Sequence, residues 1–156
     1  MKTFRTFFVL FIVTVFAFSI NSCSKNDNQE ELGAYSTIRD AADFKRRMST
    51  QGDNVQILDF RSEADFDAGH IAGAKNIHAT LEGTMSNNTP FCDKVLATFD
   101  KNRPLFMYGG KSVDLEFSVP GRISKIGFGR DNTYILQGGF DIWKKEFPNE
   151  IEKTEK

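Results

Sequence analysis

Apolar and polar positions follow different rhythms along this chain, and each rhythm predicts a different element. Residues 35–38 and 55–60 (VQILDF) are short strand-type runs, and 105–108 (LFMY) is apolar throughout, as expected of a central strand covered on both faces. Asp40 is placed to cap a helix whose inner side is Ala41, Phe44 and Met48, at spacings of three and four. Ser62 is placed to cap a short acidic helix over residues 63–68, stopped by Gly69, and a short strand follows at 75–77. Asn88 or Thr89 caps the next helix, with Pro90 at its first position, where the missing N–H is harmless. Its apolar face reads Phe91, Val95, Leu96 and Phe99. A helix over 119–126 ending at Gly127, a strand over 133–136 and a closing helix over 141–147 with Trp143 complete the pattern. Strands alternating with helices through short connections predict an α/β fold with a parallel sheet and right-handed crossovers. No internal repeat interrupts it, so residues 35–148 read as one domain.

The N-terminus carries a different signal. Lys2 and Arg5 flank an uncharged apolar run over residues 7–20. Roughly 14 residues is short for a ~30 Å hydrocarbon core but right for a signal-peptide core. The run ends in Ile20-Asn21-Ser22-Cys23, which resembles the lipobox of bacterial lipoproteins: an aliphatic residue three before a cysteine and a small one directly before it. That resemblance implies cleavage after residue 22, diacylglycerol on the Cys23 sulfur and an acylated new N-terminus. Residues 23–34, polar and acidic, then read as a flexible tether, and 149–156 as a polar tail. The chain has two cysteines, Cys23 and Cys92. One lipidated cysteine explains that count better than one disulfide does. Cys92, at the margin of its helix face, is expected to be a buried, inert small hydrophobe.

Composition adds little except by exclusion. The net charge is −1. Removing residues 1–22 takes away Lys2 and Arg5 and no acid, leaving 18 bases against 21 acids, a charge of −3. No basic stripe exists to neutralise phosphates, so nucleic acid is not an expected partner.

Candidate chemistry gathers at strand ends, because ligands of open parallel sheets sit at the carboxyl ends of the strands. Asp59 and Arg61 leave one such end. Gly109, Gly110, Lys111, Ser112, Val113 and Asp114 leave another. Glycines free to take positive φ would let successive N–H groups converge as an anion nest, with Lys111 adding a cation and Ser112 a donor. The Gly110-Lys111-Ser112 triplet is not a nucleotide-binding loop, since the first glycine of G-x-x-x-x-G-K-[ST] would fall at Leu105, inside a strand. Asp114 and Glu116 make a weak acid–base pair, because residues two apart diverge on a helix.

ILDFRSEADFDAGHIAGAKNIH, residues 57–78, closely resembles the first signature of rhodanese-like domains: a strand, Asp-x-Arg, a short acidic helix, Gly-His-Ile, Gly-Ala and Asn-Ile. IGFGRDNTYILQGGFDIWKKEFP, residues 126–148, resembles their closing segment. The resemblance covers the whole domain and implies a three-layer α/β fold with a mainly parallel central sheet flanked by helices. The family's activity is sulfur transfer through a cysteine at the end of the central strand, held by the N–H groups of the next loop. That position here is Gly109, and thiolate character is the basis of the chemistry. The arginine often found later in the family's loop is matched by Leu115, and the interval from Gly109 to Gly127 is about one residue longer than usual.

The resemblance therefore implies the fold without the reactive atom. His70 is expected to bond nearby backbone and fix its turn, His78 to face solvent, Asp59 and Arg61 to tie the strand end, and Gly138-Gly139 to make a close turn before the last helix. The expected role is a membrane-anchored binding or regulatory module of the cell envelope, meeting a protein partner or small anion, with no metal or cofactor. The competing expectation is an enzyme, either transferring sulfur through Cys92 or using Lys111, Ser112 and Asp114.

Overall fold

The structure, a computed structural model, describes residues 29–31, 35–81 and 89–154. The elements are β1 (Gln29–Glu31), β2 (Ser36–Ile38), α1 (Ala41–Ser49), β3 (Gln56–Asp59), α2 (Glu63–Ala68), β4 (His70–Ile71), β5 (Lys75–Asn76), α3 (Pro90–Thr98), β6 (Leu105–Tyr108), α4 (Val113–Lys125), β7 (Thr133–Leu136), α5 (Gly139–Glu146) and β8 (Ile151–Glu152). Six strands form one sheet in the order β1-β2-β7-β6-β3-β5, and β4 pairs with β8 separately. The pairs β2–β7, β7–β6, β6–β3 and β3–β5 are parallel; β1 lies antiparallel on β2.

Alternation along β6 divides the core. Leu105 and Met107 face one side with Leu58, Val95, Val119 and Ile123, under α3 and α4. Phe106 and Tyr108 face the other with Phe44, Met48, Phe140 and Trp143, under α1 and α5. All four β6 residues are buried, so both faces of the strand are covered. Phe44 meets Phe106 and Trp143 edge to face at 5.3 and 6.4 Å between centroids, which fixes α1 and α5 against the sheet. The result is the three-layer α/β arrangement the sequence implies.

Local chemistry sets the helix starts. The Asp40, Ser62 and Thr89 side chains accept the N–H groups of Asp43, Asp65 and Cys92, satisfying donors that the first turn leaves unpaired. Three expectations are corrected. First, α4 starts at Val113 rather than at residue 119, because Ser112 caps it by accepting from Leu115 N, and Pro120 is accommodated inside the helix. Val113 and Asp114 are therefore helical rather than loop residues. Second, on α3 Cys92 takes the inner place, with none of its surface exposed, while Leu96 falls at the solvent edge at 42% exposure. Third, paired backbone extends past both ends of the region read as folded: β1 lies within the stretch read as a tether, and β8 within the one read as a tail. The lipobox resemblance at Cys23 lies outside the described residues.

Candidate functional site

Register aligns the site before any side chain is considered. Asp59 of β3, Tyr108 of β6, Leu136 of β7 and Ile38 of β2 lie in one row across the sheet, each the last residue of its strand. One step further, Phe60 N donates to Tyr108 O at 3.1 Å, so Phe60 runs beside Gly109. Leu58, Phe60 and Met107 share one face and one cluster, and period-two alternation assigns Gly109 to that face as well.

Gly109 is where the resemblance expects a sulfur-bearing residue, and its side-chain space is occupied. A Cβ built there would stand 2.2 Å from Phe60 Cε2 and 2.6 Å from Cζ. Phe60 is itself 1% exposed, so its ring has little freedom to leave. At Gly110 the neighbouring atoms are Arg61 Cγ and Cδ at 3.7 Å, an ordinary contact. Neither glycine is in the left-handed region, so the anion nest expected from them is not formed by their backbone. The carbonyl of Gly109 accepts from Phe140 N at 2.9 Å, joining the loop to the start of α5. That approach demands glycine at 139: its φ is +58°, and a Cβ there would come within 2.2 Å of Gly109 O. Gly138, at φ +78°, completes the close turn expected from the glycine pair.

Asp59 and Arg61 form the support of this strand end. Arg61 Nε donates to Asp59 Oδ1 and Oδ2 at 3.0 Å, and Nη2 donates to Asp59 Oδ2 at 2.5 Å and to Gly69 O at 2.7 Å. Asp59 has no exposed surface. Burial works against the Arg61 charge, but the hydrogen bonds and charge of Asp59 outweigh it and raise the guanidinium pKa. The same guanidinium lies 4.0 Å above the Phe140 ring centroid. Burial, then the Asp59 charge, raises the Tyr108 pKa far above the usual phenol range, so it stays a neutral hydroxyl and accepts from Ile71 N at 3.0 Å.

His70 lies on β4 with its ring stacked on Phe66 at 3.7 Å and Nδ1 2.9 Å from Phe66 O, the backbone tie expected of it. His78 is exposed. Lys111 is exposed and pairs with Asp141 at 3.5 Å; the Ser112 hydroxyl is used as the α4 cap. Asp114 and Glu116 are not brought together as an acid–base pair: Glu116 Oε1 accepts from Gly138 N at 2.9 Å, and burial raises its pKa, while Asp114 is exposed. Cys92 is buried in the first turn of α3, in the same core cluster as Phe60. Its neighbour across the helix pair is Arg122, 1% exposed, whose Nη2 donates to Thr80 O at 2.9 Å while its Nε finds no partner among the described residues. Among the described residues no group of three or more His, Cys, Asp or Glu is placed to hold a metal ion.

Sequence and structure comparisons agree with this architecture. The family model described as "Rhodanese-like domain" matches residues 40–146, and the chain belongs to that family. Among its relatives are thiosulfate sulfurtransferases GlpE. That of Pseudomonas entomophila is 25% identical over 114 residues, covering 70% of this chain and 93% of the relative. That of Stutzerimonas stutzeri is 28% identical, covering 72% and 96%. Among solved structures, the Alr3790 protein from Anabaena is 25% identical with a TM-score of 0.56, covering 74% of this chain and 81% of the other. A rhodanese-like domain protein from Staphylococcus aureus shares the fold at TM-score 0.54 and 19% identity, covering 76% and 98%.

Proposed function

We propose that this chain is a rhodanese-like module, lipid-anchored in the bacterial envelope through Cys23, that has given up sulfur transfer and works by binding. The observation that carries the reading is the Phe60 ring in the side-chain space of Gly109. A persulfide needs a thiolate nucleophile, and glycine supplies no sulfur. A filled space also argues against the site's waiting for some other reactive group. Burial of Cys92 weighs against a substitute thiol, and the engagement of Ser112 and Lys111 in a helix cap and an ion pair weighs against a new nucleophile among them.

What remains at the rim suits recognition. The Asp59–Arg61 pair and the Gly109–Phe140 hydrogen bond hold it rigidly, and rigidity lowers the ordering cost of binding. The missing glycine nest favours a partner that reads a surface over a small anion bound by backbone N–H groups. The test is thiocyanate formation from thiosulfate and cyanide by the purified protein. Rates equal to a heat-denatured control are expected, and turnover clearly above that control contradicts the reading.

A further inference from the structure

Two large apolar side chains at the start of α4 are more than half exposed among the described residues. Val113 is 60% exposed and Phe117, one turn on, 54%. They lie at i and i+4, hence on the same face of the helix. Leu115, between them in sequence, packs against the core instead. Beside them Lys111 is offset by Asp141, and Asp114 is exposed in the same first turn, so the patch has no strong net charge.

Where the chain enters the sheet says what covers this patch. β1 runs antiparallel to β2, so its first residue, Gln29, pairs with Ile38, the last residue of β2. Ile38 continues the row through Leu136 to Tyr108. The polypeptide therefore arrives from its N-terminal side at the same end of the sheet as the loop after β6. Three strand spacings separate Gln29 from Tyr108, about 14 Å. Phe117 is closer still to that entry side, since with Thr37 of β2 and Gln137 after β7 it lines one small cavity. Cys23 precedes Gln29 by six positions, a span of at most about 20 Å when fully extended.

We infer that the α4 start, through Val113 and Phe117, rests on the lipid surface in which the chain's own Cys23 is anchored, so that the carboxyl end of the sheet faces the membrane. This rests on the proposed lipid at Cys23. A link this short holds the patch near the bilayer at high effective concentration, so a contact of modest intrinsic strength suffices. The contact is apolar: Lys111 is offset by Asp141 and Asp114 leaves one negative charge, so no basic patch adjoins it, and added salt does not weaken it as it weakens the docking of a basic patch on anionic lipid. The rim then meets only partners that are themselves in or on that membrane.

The experiment uses the full lipoprotein in vesicles of phosphatidylethanolamine and phosphatidylglycerol, with nitroxide attached in separate Val113→Cys, Phe117→Cys and Asn102→Cys variants. Cys92, fully buried, remains unlabelled. Asn102 is exposed before β6, at the opposite end of the sheet. Labels at 113 and 117 are expected to contact lipid-dissolved oxygen more than a water-soluble nickel relaxant, the label at 102 the reverse, with no loss of lipid contact at high salt. Val113→Cys reports even if Phe117→Cys disturbs the small cavity. Equal aqueous exposure of all three labels, with the lipid on Cys23 verified by mass, overturns the orientation while leaving the anchor intact. Strong spin–spin broadening at 113 without lipid contact means a second copy covers the patch, and also overturns it. Absence of lipid by mass overturns the anchor, and the inference with it.

Discussion

Phe60 and Gly109 stand side by side on neighbouring strands, and the ring of one fills the space that a side chain on the other would need. Any residue larger than glycine at 109 must displace a ring that is 1% exposed. Gly109→Ala is expected to destabilise the domain by about 1–3 kcal/mol, the cost of overpacking a closed core. Gly109→Cys behaves alike and does not by itself regain sulfur transfer. Combined with Phe60→Val, which empties the space, Gly109→Cys costs less than the two single changes summed, because contacting sites couple. Urea denaturation of the four proteins checks the sign of that coupling.

Gly139 makes the complementary demand. Its positive φ and the 2.2 Å approach of Gly109 O leave no room for a methyl group. Gly139→Ala is expected to lose at least about 2 kcal/mol, from backbone strain and forced separation of the two segments. Faster hydrogen exchange of the Phe140 amide, which donates to Gly109 O, locates the damage.

Arg61 is the main hydrogen-bonding partner of a carboxylate with no exposed surface. Arg61→Met strands Asp59 and is expected to cost about 3–5 kcal/mol, as when one member of a buried ion pair is removed. Arg61→Met with Asp59→Asn recovers part of that loss. A thermal-denaturation double-mutant cycle measures both.

Asp43 gives an acid-limb prediction. Burial alone would raise its carboxyl pKa, but hydrogen bonds and charges from Arg47 and Arg46 outweigh it and lower the pKa. A folded pKa below the unfolded value of about 4 gives stability that is complete above that pH and fades as pH falls through the folded value. Asp43→Asn is therefore less stable than the parent at neutral pH, and the two curves converge in acid. Urea midpoints across pH 2 to 7, a range on the order of the carboxylate titration, trace the convergence.

Much of this architecture was legible because local chemistry and burial agree. Asp40 before Ala41, Phe44 and Met48, or Ser62 before an acidic turn and Gly69, is a start signal followed by a consistent face or stop, and the structure follows each. Legibility fails where two signals compete. The helix expected from residue 119 starts at Val113 instead, where the Ser112 cap and the packing of Val119 and Ile123 carry α4 through Pro120-Gly121. On α3, assigning the inner place to Leu96 over Cys92 followed hydrophobicity and missed that a small thiol fits the closer position. β1 and β8 are strands of three and two residues, which pairing with a neighbouring strand defines better than their own composition does.

At the site the absence was visible and its consequence was not. Gly109 announces the missing thiol, but Phe60 reads only as the end of a strand. Pairing Asp59 with Tyr108 and then applying alternation puts Phe60 beside Gly109 on one face, so the signal existed in register rather than in composition. The same step from pattern to register was needed at β1, whose direction brings the N-terminal segment to the site end of the sheet.

Sulfur loading tests the central claim most directly. The purified protein, incubated with thiosulfate and with a low-molecular-weight persulfide, is weighed intact by mass spectrometry and digested without reductant. The expected result is an unchanged mass and an unmodified Cys92 peptide. A gain of one sulfur atom on native, folded protein, mapped to Cys92, contradicts the account and restores a sulfur carrier to this fold.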